Sequence, residues 1–271
     1  MAVPEPNAVV ISRESLTEGL CTLRIAPEGW ELPEFSAGQY AMVGLPASAP
    51  RSEDAEPIES DSSPDRFIQR SYSVASSNKK RDHLEFLISL VRAGDMSPRI
   101  FALEAGDEVW LSRNLSGFFT LDGVEEHKNV VFIATGSGLS PCMGILRSHF
   151  DPSGQRNMAI VHGVRNSAEL AYRQELTSLS RESSRFTYLC TISRPETETA
   201  PWTGRTGYVQ DIWKSSVIAS EWGVEPTPDN TDIFVSGNPE MCNAMTDILL
   251  GDGYRERTFK DPGELHLERF W

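Results

Sequence analysis

The stretch from Asn129 to Gly144, "NVVFIATGSGLSPCMG", constrains this chain more than any other. An unbroken apolar run is what a strand covered on both faces requires. Two glycines two apart follow, then a Ser-Pro pair that opens a helix from about Pro141, so the segment reads as a βα unit around a shaped loop. The rhythm repeats downstream. "NMAIVHGV" reads as a strand and "SAELAYRQELTSLSR" has helical spacing. "RFTYLCTIS" is a strand, "YVQDIWKSSV" a helix, "DIFVSG" a strand, and "PEMCNAMTDILL" a helix opened by Pro239. Strands alternating with helices predict a doubly wound parallel sheet. The tail "ELHLERFW" alternates like an edge strand.

The first part has another pattern. "CTLRIA" alternates, with Cys21, Leu23 and Ile25 on one side and Thr22 and Arg24 on the other. "QYAMVGL", "QRSYSVAS", "HLEFLISLV" (Leu84, Phe86, Ile88 and Leu90 on one face) and "DEVWLS" are further short strands separated by turn residues. Such a series predicts an antiparallel barrel. One short helix interrupts it, with Ser97 as N-cap, Pro98 at N1 and Gly106 as terminator. The polar turn from Leu121 to Asn129 separates two predicted domains, residues 1–123 and 128–271. Residues 48–66, "SAPRSEDAEPIESDSSPDR" with its flanks, are rich in Ser, Pro and acids. They bury too little to offset their ordering entropy and read as a flexible acidic insertion in a hairpin.

Composition narrows the function. Of 271 residues, 39% are hydrophobic and 24% charged, as in a globular protein. A net charge of -14 argues against a nucleic-acid partner, which needs a basic face. Cys21, Cys142, Cys190 and Cys242 lie far apart, without zinc or iron–sulfur spacing, so no metal is expected. Their scatter suits a reducing cytoplasm. The N-terminus has no signal-peptide pattern, and no apolar run is long enough to span a bilayer. A cytoplasmic location without membrane insertion is the expectation.

Five motifs carry chemistry. In "RSYS", Arg70 and Tyr72 share one strand face. An Arg can hold a diphosphate through a forked donor set, a Tyr can lie against a flat heterocycle, and Ser73 can reach the heterocycle's edge. Taken alone, these four residues fit an ordinary strand better. "GDMSP" offers free N–H groups at a helix start. "TGSGLSP", Thr135 to Pro141, ends the first buried strand, where ligands bind in such sheets. Ser193-Arg194 and Gly204-Arg205 lie beyond the third strand of that sheet, where an acid would select NAD and arginines suit a 2′-phosphate. "SGNPEMC" closes the fourth strand with a turn that lets a ring approach closely, or simply with Pro at N1 of a helix.

In this order the five motifs resemble the ferredoxin/flavodoxin–NADP+ reductase family, and the bacterial branch in particular, whose chains end in an aromatic residue. The likeness runs from about Val9 to Trp271 and is densest across "QRSYS…LEFLISLVRAGDMSPRIFALEAGDEVWLSRNLSGFF". It implies an antiparallel FAD-binding barrel followed by an NADP(H)-binding doubly wound domain. Residue by residue, it implies that Arg70, Ser71, Tyr72 and Ser73 bind non-covalent FAD, with Tyr72 stacked on the ring system and Ser73 near its reactive nitrogen. Phe86, Leu87, Ile88 and Ser89 flank the flavin. Asp95, Met96 and Ser97 meet the FAD diphosphate, and Thr135, Phe270 and Trp271 complete the site, Trp271 opposite Tyr72. Gly136, Ser137 and Gly138 meet the NADP(H) diphosphate. Arg165, Ser193, Arg194 and Arg205 hold the adenosine phosphates, and Gly237, Asn238 and Pro239 line the nicotinamide pocket. Ser73, Ser236 and Glu268 are the candidate catalytic residues, Glu268 in proton supply.

Three features depart from the family pattern: Ser-Gly-Leu where close bacterial relatives often carry Thr-Ala-Ile, Ser236 where many carry Cys, and the acidic insertion. The implied function is an oxidoreductase that passes electrons between NADPH and ferredoxin or flavodoxin, working as a monomer. The alternatives are the reductase component of an oxygenase system, and a catalytically silent binding module that kept only the fold. A -14 chain meeting an acidic carrier requires strong charge segregation, an unusual partner or a salty cell.

Overall fold

Period-two burial builds the first sheet. In β2 (Leu20–Pro27) Cys21, Leu23 and Ile25 are fully buried while Arg24 is exposed. The other strands are β1 (Ala8–Thr17), β3 (Tyr40–Pro46), β4 (Phe67–Ser73), β5 (Leu84–Ser89) and β6 (Glu108–Leu111). They pair antiparallel in the order β4-β3-β6-β1-β2-β5. A bridge between Val74 and Phe86 joins the two outer strands and closes the sheet into the expected barrel. The structure, a computed structural model, describes residues 4–57, 66–258 and 260–270. It divides into two units, one of residues 1–120 with 143–148, the other of residues 121–142 with 149–271.

Several local expectations for the barrel unit need correction. Strand β1 was not anticipated, because the buried alternation of its first residues gives way to the exposed polar run "RESL". Strand β5 is buried on both faces rather than one, and Glu85 is among its buried residues. Arg24 Nε and Arg147 Nη1 each lie 2.7 Å from the Glu85 carboxylate, which is why an acid tolerates that position. The short helix α1 covers only Ser97–Ile100, and its N-cap is Met96. Ser97 does not cap it. Its hydroxyl accepts from the Val91 N–H at 2.9 Å, so the local competition of a Ser side chain for backbone donors went to a turn.

The insertion is only partly as composition suggested. Residues 58–65 lie outside the described residues. Residues 49–57 are bonded to α1 and to the segment before it: Ser52 N–H donates to Pro98 O, Glu56 N–H to Arg92 O, and the Arg92 guanidinium to Asp54 O.

The second unit is a parallel sheet in the order β10-β9-β8-β7-β11-β12. Its strands are β7 (Asn129–Thr135), β8 (Met158–Val164), β9 (Phe186–Ile192), β10 (Arg205–Thr206), β11 (Thr231–Gly237) and β12 (Leu265–Arg269). The helices between them are α2 (Leu139–His149), α3 (Arg173–Glu182), α4 (Val209–Lys214), α5 (Val217–Trp222) and α6 (Pro239–Gly251). Helix α2 starts two residues before the expected Pro141, after a 3-10 turn at Gly136–Gly138. The α3 pattern is shorter than its sequence spacing implied, because Tyr172 sits at a left-handed φ of 55° and breaks the run from Ser167. The helix read at "YVQDIWKSSV" is two short helices, split at Ser216 with φ 53°. Among the described residues no helix is long and apolar enough to cross a membrane, and no cluster of three or more His, Cys, Asp or Glu is placed to hold a metal.

Candidate functional site

The strand order of the second unit creates the site. From central β7 the chain moves through β8 and β9 on one side, then crosses to β11 on the other. The carboxyl ends of β7 and β11 therefore flank a topological switch point, where open α/β sheets leave a crevice. Both glycine-bearing motifs leave from there. Gly136 has φ +55° and Gly237 φ +133°, conformations that favour glycine. A Cβ on Gly138 would lie 2.3 Å from Ser236 O, and one on Gly237 would lie 2.4 Å from Thr135 Oγ1. The two loops thus approach closer than any side chain permits. The Asn238 N–H donates to Thr135 Oγ1 at 3.1 Å and ties them together.

Asn238 also caps α6, its Oδ1 accepting from the N–H groups of Glu240 (2.8 Å) and Met241 (3.2 Å). Pro239 follows at N1, as the proline reading of this motif expected; the Asn238 cap was not foreseen. Ser236 is fully buried between Ala134 and Glu268 in the sheet register, and its Oγ has no partner among the described residues. Glu268 and Phe270 are half-buried, and the Phe270 N–H donates to Gly237 O at 3.0 Å. Trp271 lies outside the described residues. Beneath the loops sit two thiols that sequence reasoning passed over. Cys142 Sγ points to Gly138 O at 3.6 Å and Cys242 Sγ to Gly237 O at 3.8 Å. Burial raises Cys142 well above the ordinary thiol range and pushes Cys242 up to about 11, so both are neutral packing groups. Their spacing, four and five residues after a loop glycine, was the available signal.

The arginines gather at the β9–β10 edge. Arg194 N–H donates to Arg165 O at 2.9 Å, and Ser193 N–H to Val164 O at 3.0 Å, so the strand ends carrying them run side by side. Arg205 opens β10 opposite Thr191. Arg165, Arg194 and Arg205 are exposed, and Ser193 is half-buried. Among the described residues no carboxylate pairs with Arg194 or Arg205. Arg165 differs from expectation, since its Nη2 lies 3.0 Å from Glu169 Oε1 and an incoming phosphate must compete for it. Sequence reasoning missed Arg173, whose guanidinium lies 4.8 Å over the Trp202 ring. Trp202 Nε1 in turn donates to Arg205 O at 2.9 Å. A Trp three residues before Arg205 was the sign of that support.

In the barrel unit, β4 presents Arg70 and Ser71 to solvent, half-buries Tyr72 and buries Ser73. Tyr72 packs edge-on against Phe86 with centroids 6.3 Å apart, and burial raises its phenol above the ordinary range. Arg70 Nη1 donates to Gln69 O, and no carboxylate pairs with it among the described residues. Phe86, Leu87 and Ile88 are buried, so a ligand beside β5 meets its backbone and the half-buried Ser89 rather than those side chains. Asp95 is half-buried and ion-paired with Arg66 at 2.8 Å. The hydrogen bond from Arg66 holds its carboxyl below the usual range. Met96 and Ser97 are buried. Among the described residues no backbone bond uses the N–H groups of Asp95, Met96 or Ser97. An unpaired guanidinium, three spare N–H donors and one aromatic ring suit a diphosphate joined to a flat heterocycle. The glycine crevice of the second unit, with its exposed arginines, suits a phosphorylated dinucleotide.

Comparison with known proteins agrees with this chemistry. Residues 132–247 match the oxidoreductase NAD-binding domain family, and residues 58–116 match the oxidoreductase FAD-binding domain family. The flavodoxin/ferredoxin–NADP reductase of Escherichia coli (strain K12) is 28% identical over 88% of this chain and 88% of its own length. The ferredoxin–NADP reductase of Azotobacter vinelandii is 27% identical over 87% of this chain and 86% of its own length. A crystal structure of a ferredoxin NADP+ reductase from Neisseria gonorrhoeae with bound FAD and NADP superposes with a TM-score of 0.78. It is 26% identical, with 97% of each chain covered.

Proposed function

Because this chain belongs to the ferredoxin/flavodoxin–NADP+ reductase family, we propose that it binds FAD and NADP(H) and exchanges electrons between NADPH and a ferredoxin or flavodoxin. FAD, when bound, supplies the junction between two-electron hydride chemistry and one-electron release. The observation that carries this reading is the pair of glycine loops interlocked at the β7–β11 switch point, together with the exposed Arg194 and Arg205, which no carboxylate pairs among the described residues.

The chain's own residues then divide the work between residues 1–123 and residues 128–271. Arg70 and the N–H groups of Asp95, Met96 and Ser97 hold the flavin diphosphate, Ser71 supports that strand, and Tyr72 lies on one face of the ring system. Ser73 and Ser89 reach its edge, and Phe86, Leu87 and Ile88 contribute backbone. Gly136, Ser137 and Gly138 admit the nucleotide diphosphate, since backbone without Cβ lets phosphate oxygens approach. Arg165, Ser193, Arg194 and Arg205 read the adenosine phosphates. Gly237, Asn238 and Pro239 border the nicotinamide, with Ser236 behind it. Glu268 supplies or takes the proton that accompanies electron transfer. The enzyme acts in the cytoplasm as a monomer.

The test is to purify the protein and record its visible spectrum. NADPH-driven reduction is then followed with a panel of ferredoxins and flavodoxins at several salt concentrations. The reading expects a flavin band, a preference for NADPH over NADH, and reduction of at least one carrier with a salt-dependent rate. A protein that takes up no flavin is a binding module; one that takes up flavin but reduces no carrier belongs to another reductase branch.

A further inference from the structure

The described part of the acidic insertion is built around one guanidinium. Arg51 Nη1 donates to Gly94 O at 2.9 Å, and Nη2 donates to Glu56 O at 2.8 Å and Arg92 O at 3.3 Å. Three carbonyls from two chain segments thus converge on a half-buried side chain. Two of them belong to the segment 91–95 that leads into Asp95, Met96 and Ser97. Arg51 and Arg66 are the two cationic residues of an otherwise acidic insertion, and Arg51 is the one that binds backbone carbonyls.

Peptide planarity gives this contact a consequence. The Gly94 carbonyl and the Asp95 N–H belong to one rigid peptide plane and point in opposite directions. Pinning the oxygen therefore aims the N–H. Arg99 does the same one residue on: its Nη1 donates to Asp95 O, in the plane that carries the Met96 N–H, and its Nη2 to Ala47 O, at the base of the insertion. Arg99 is only 5% exposed, so this anchor is fixed. Arg66, at the far end of the insertion, pairs with the Asp95 carboxylate at 2.8 Å. Neither plane is held by a helix, since α1 begins only at Ser97.

We propose that Arg51 is a positioning residue for FAD, and that the described part of the insertion is a brace that aims the Asp95 and Met96 N–H groups at the flavin diphosphate. The inference rests on the FAD-binding reading above. The described part acts through the peptide planes that carry those donors, and its acidic side chains, such as the exposed Glu53, keep it solvated.

The experiment measures FAD dissociation constants by flavin fluorescence on the purified full-length chain. Wild type, Arg51→Ala, Arg51→Lys and Glu53→Gln are compared, together with apoprotein melting temperatures and NADP+ affinity. The brace predicts that Arg51→Ala weakens FAD roughly ten- to a hundredfold, the weight of hydrogen bonds to a charged group. Arg51→Lys falls between, because an ammonium cannot span three carbonyls, and so serves if the alanine variant does not fold. NADP+ affinity stays unchanged, and so does FAD affinity in Glu53→Gln. Equal FAD affinity in wild type and both Arg51 variants overturns the brace. A Glu53→Gln effect as large as that of Arg51→Ala also overturns it, in favour of bulk charge. An apo melting loss without weaker FAD binding reduces Arg51 to a structural residue. If the wild type itself takes up no FAD, the functional reading fails and not only the brace.

Discussion

At the residue scale, the arginines at the β9–β10 edge are unequal. Arg194 and Arg205 are exposed with no carboxylate partner among the described residues, whereas Arg165 is already engaged by Glu169. A 2′-phosphate gains most from the first two, since a charge-assisted hydrogen bond contributes about 1.5–3 kcal/mol. Replacing both by Ala should lower the preference for NADPH over NADH by on the order of a hundredfold or more, if the effects add. Steady-state kinetics with both nucleotides checks this, and an unchanged ratio takes these residues out of the site. Their type and position were legible in the sequence, because each sits in a short local motif beyond the end of β9. The Glu169 contact was half-legible, four residues downstream of Arg165, but only the 3-10 turn at Ser167–Glu169 brings the carboxylate round. The Arg173–Trp202 stack was not legible, since it joins residues 29 positions apart (202 minus 173) on different elements.

At the element scale, the loop after β7 and the loop after β11 act as one piece. Their closeness depends on glycine: a Cβ at 138 would sit 2.3 Å from the Ser236 carbonyl, a backbone atom that cannot swing aside. Gly138→Ala should therefore force the loops apart, at a cost of roughly 1–3 kcal/mol in stability. NADP+ affinity should fall while FAD retention in the barrel unit is unaffected. Denaturant unfolding and titration with each cofactor measure the three quantities, and undiminished NADP+ binding would show that the crevice does not need this approach. Most elements of the second unit could be read in advance, because β8 and β11 are buried along their whole length, and β7 up to Thr135, and each carries a mostly apolar run. Strand β1 and the cap of α1 could not. Half of β1 faces solvent, and Ser97 spends its hydroxyl on Val91 rather than on a helix end.

At the scale of the whole molecule, buried histidines set the response to acid. His162 lies fully buried on β8, its Nδ1 3.3 Å from the Tyr188 hydroxyl, and burial depresses its pKa from 6.5 to about 3. Burial also lowers His266, against the opposing pull of Asp232. The native state refuses protons that the unfolded chain accepts below pH 6.5. Stability is therefore intact above that pH and declines as pH falls toward 3, by up to about 1.4 kcal/mol per pH unit for one such group. Carboxylates such as Asp95, whose folded pKa is also lowered, add their own loss only at lower pH. Urea unfolding at pH 7.5, 6 and 5 should show a shallower decline for His162→Gln than for the wild type. Parallel declines would mean that the unfolded chain gains no proton at this position.

The amino-acid sequence alone determined which parts of the chain become a barrel and which a parallel sheet, and where the glycine loops and exposed arginines fall. Those properties are written in periods of a few residues and in motifs whose members are neighbours along the chain. Only the tertiary structure decided that Glu85 is buried against Arg24 and Arg147, that Thr135 is locked to Asn238, and that an acidic insertion turns on Arg51. In each case the partner lies tens of residues away. A polar or charged side chain does not reveal from its own neighbourhood whether burial will bring it a partner, and that pairing sets whether it destabilises the fold or positions a donor for a ligand.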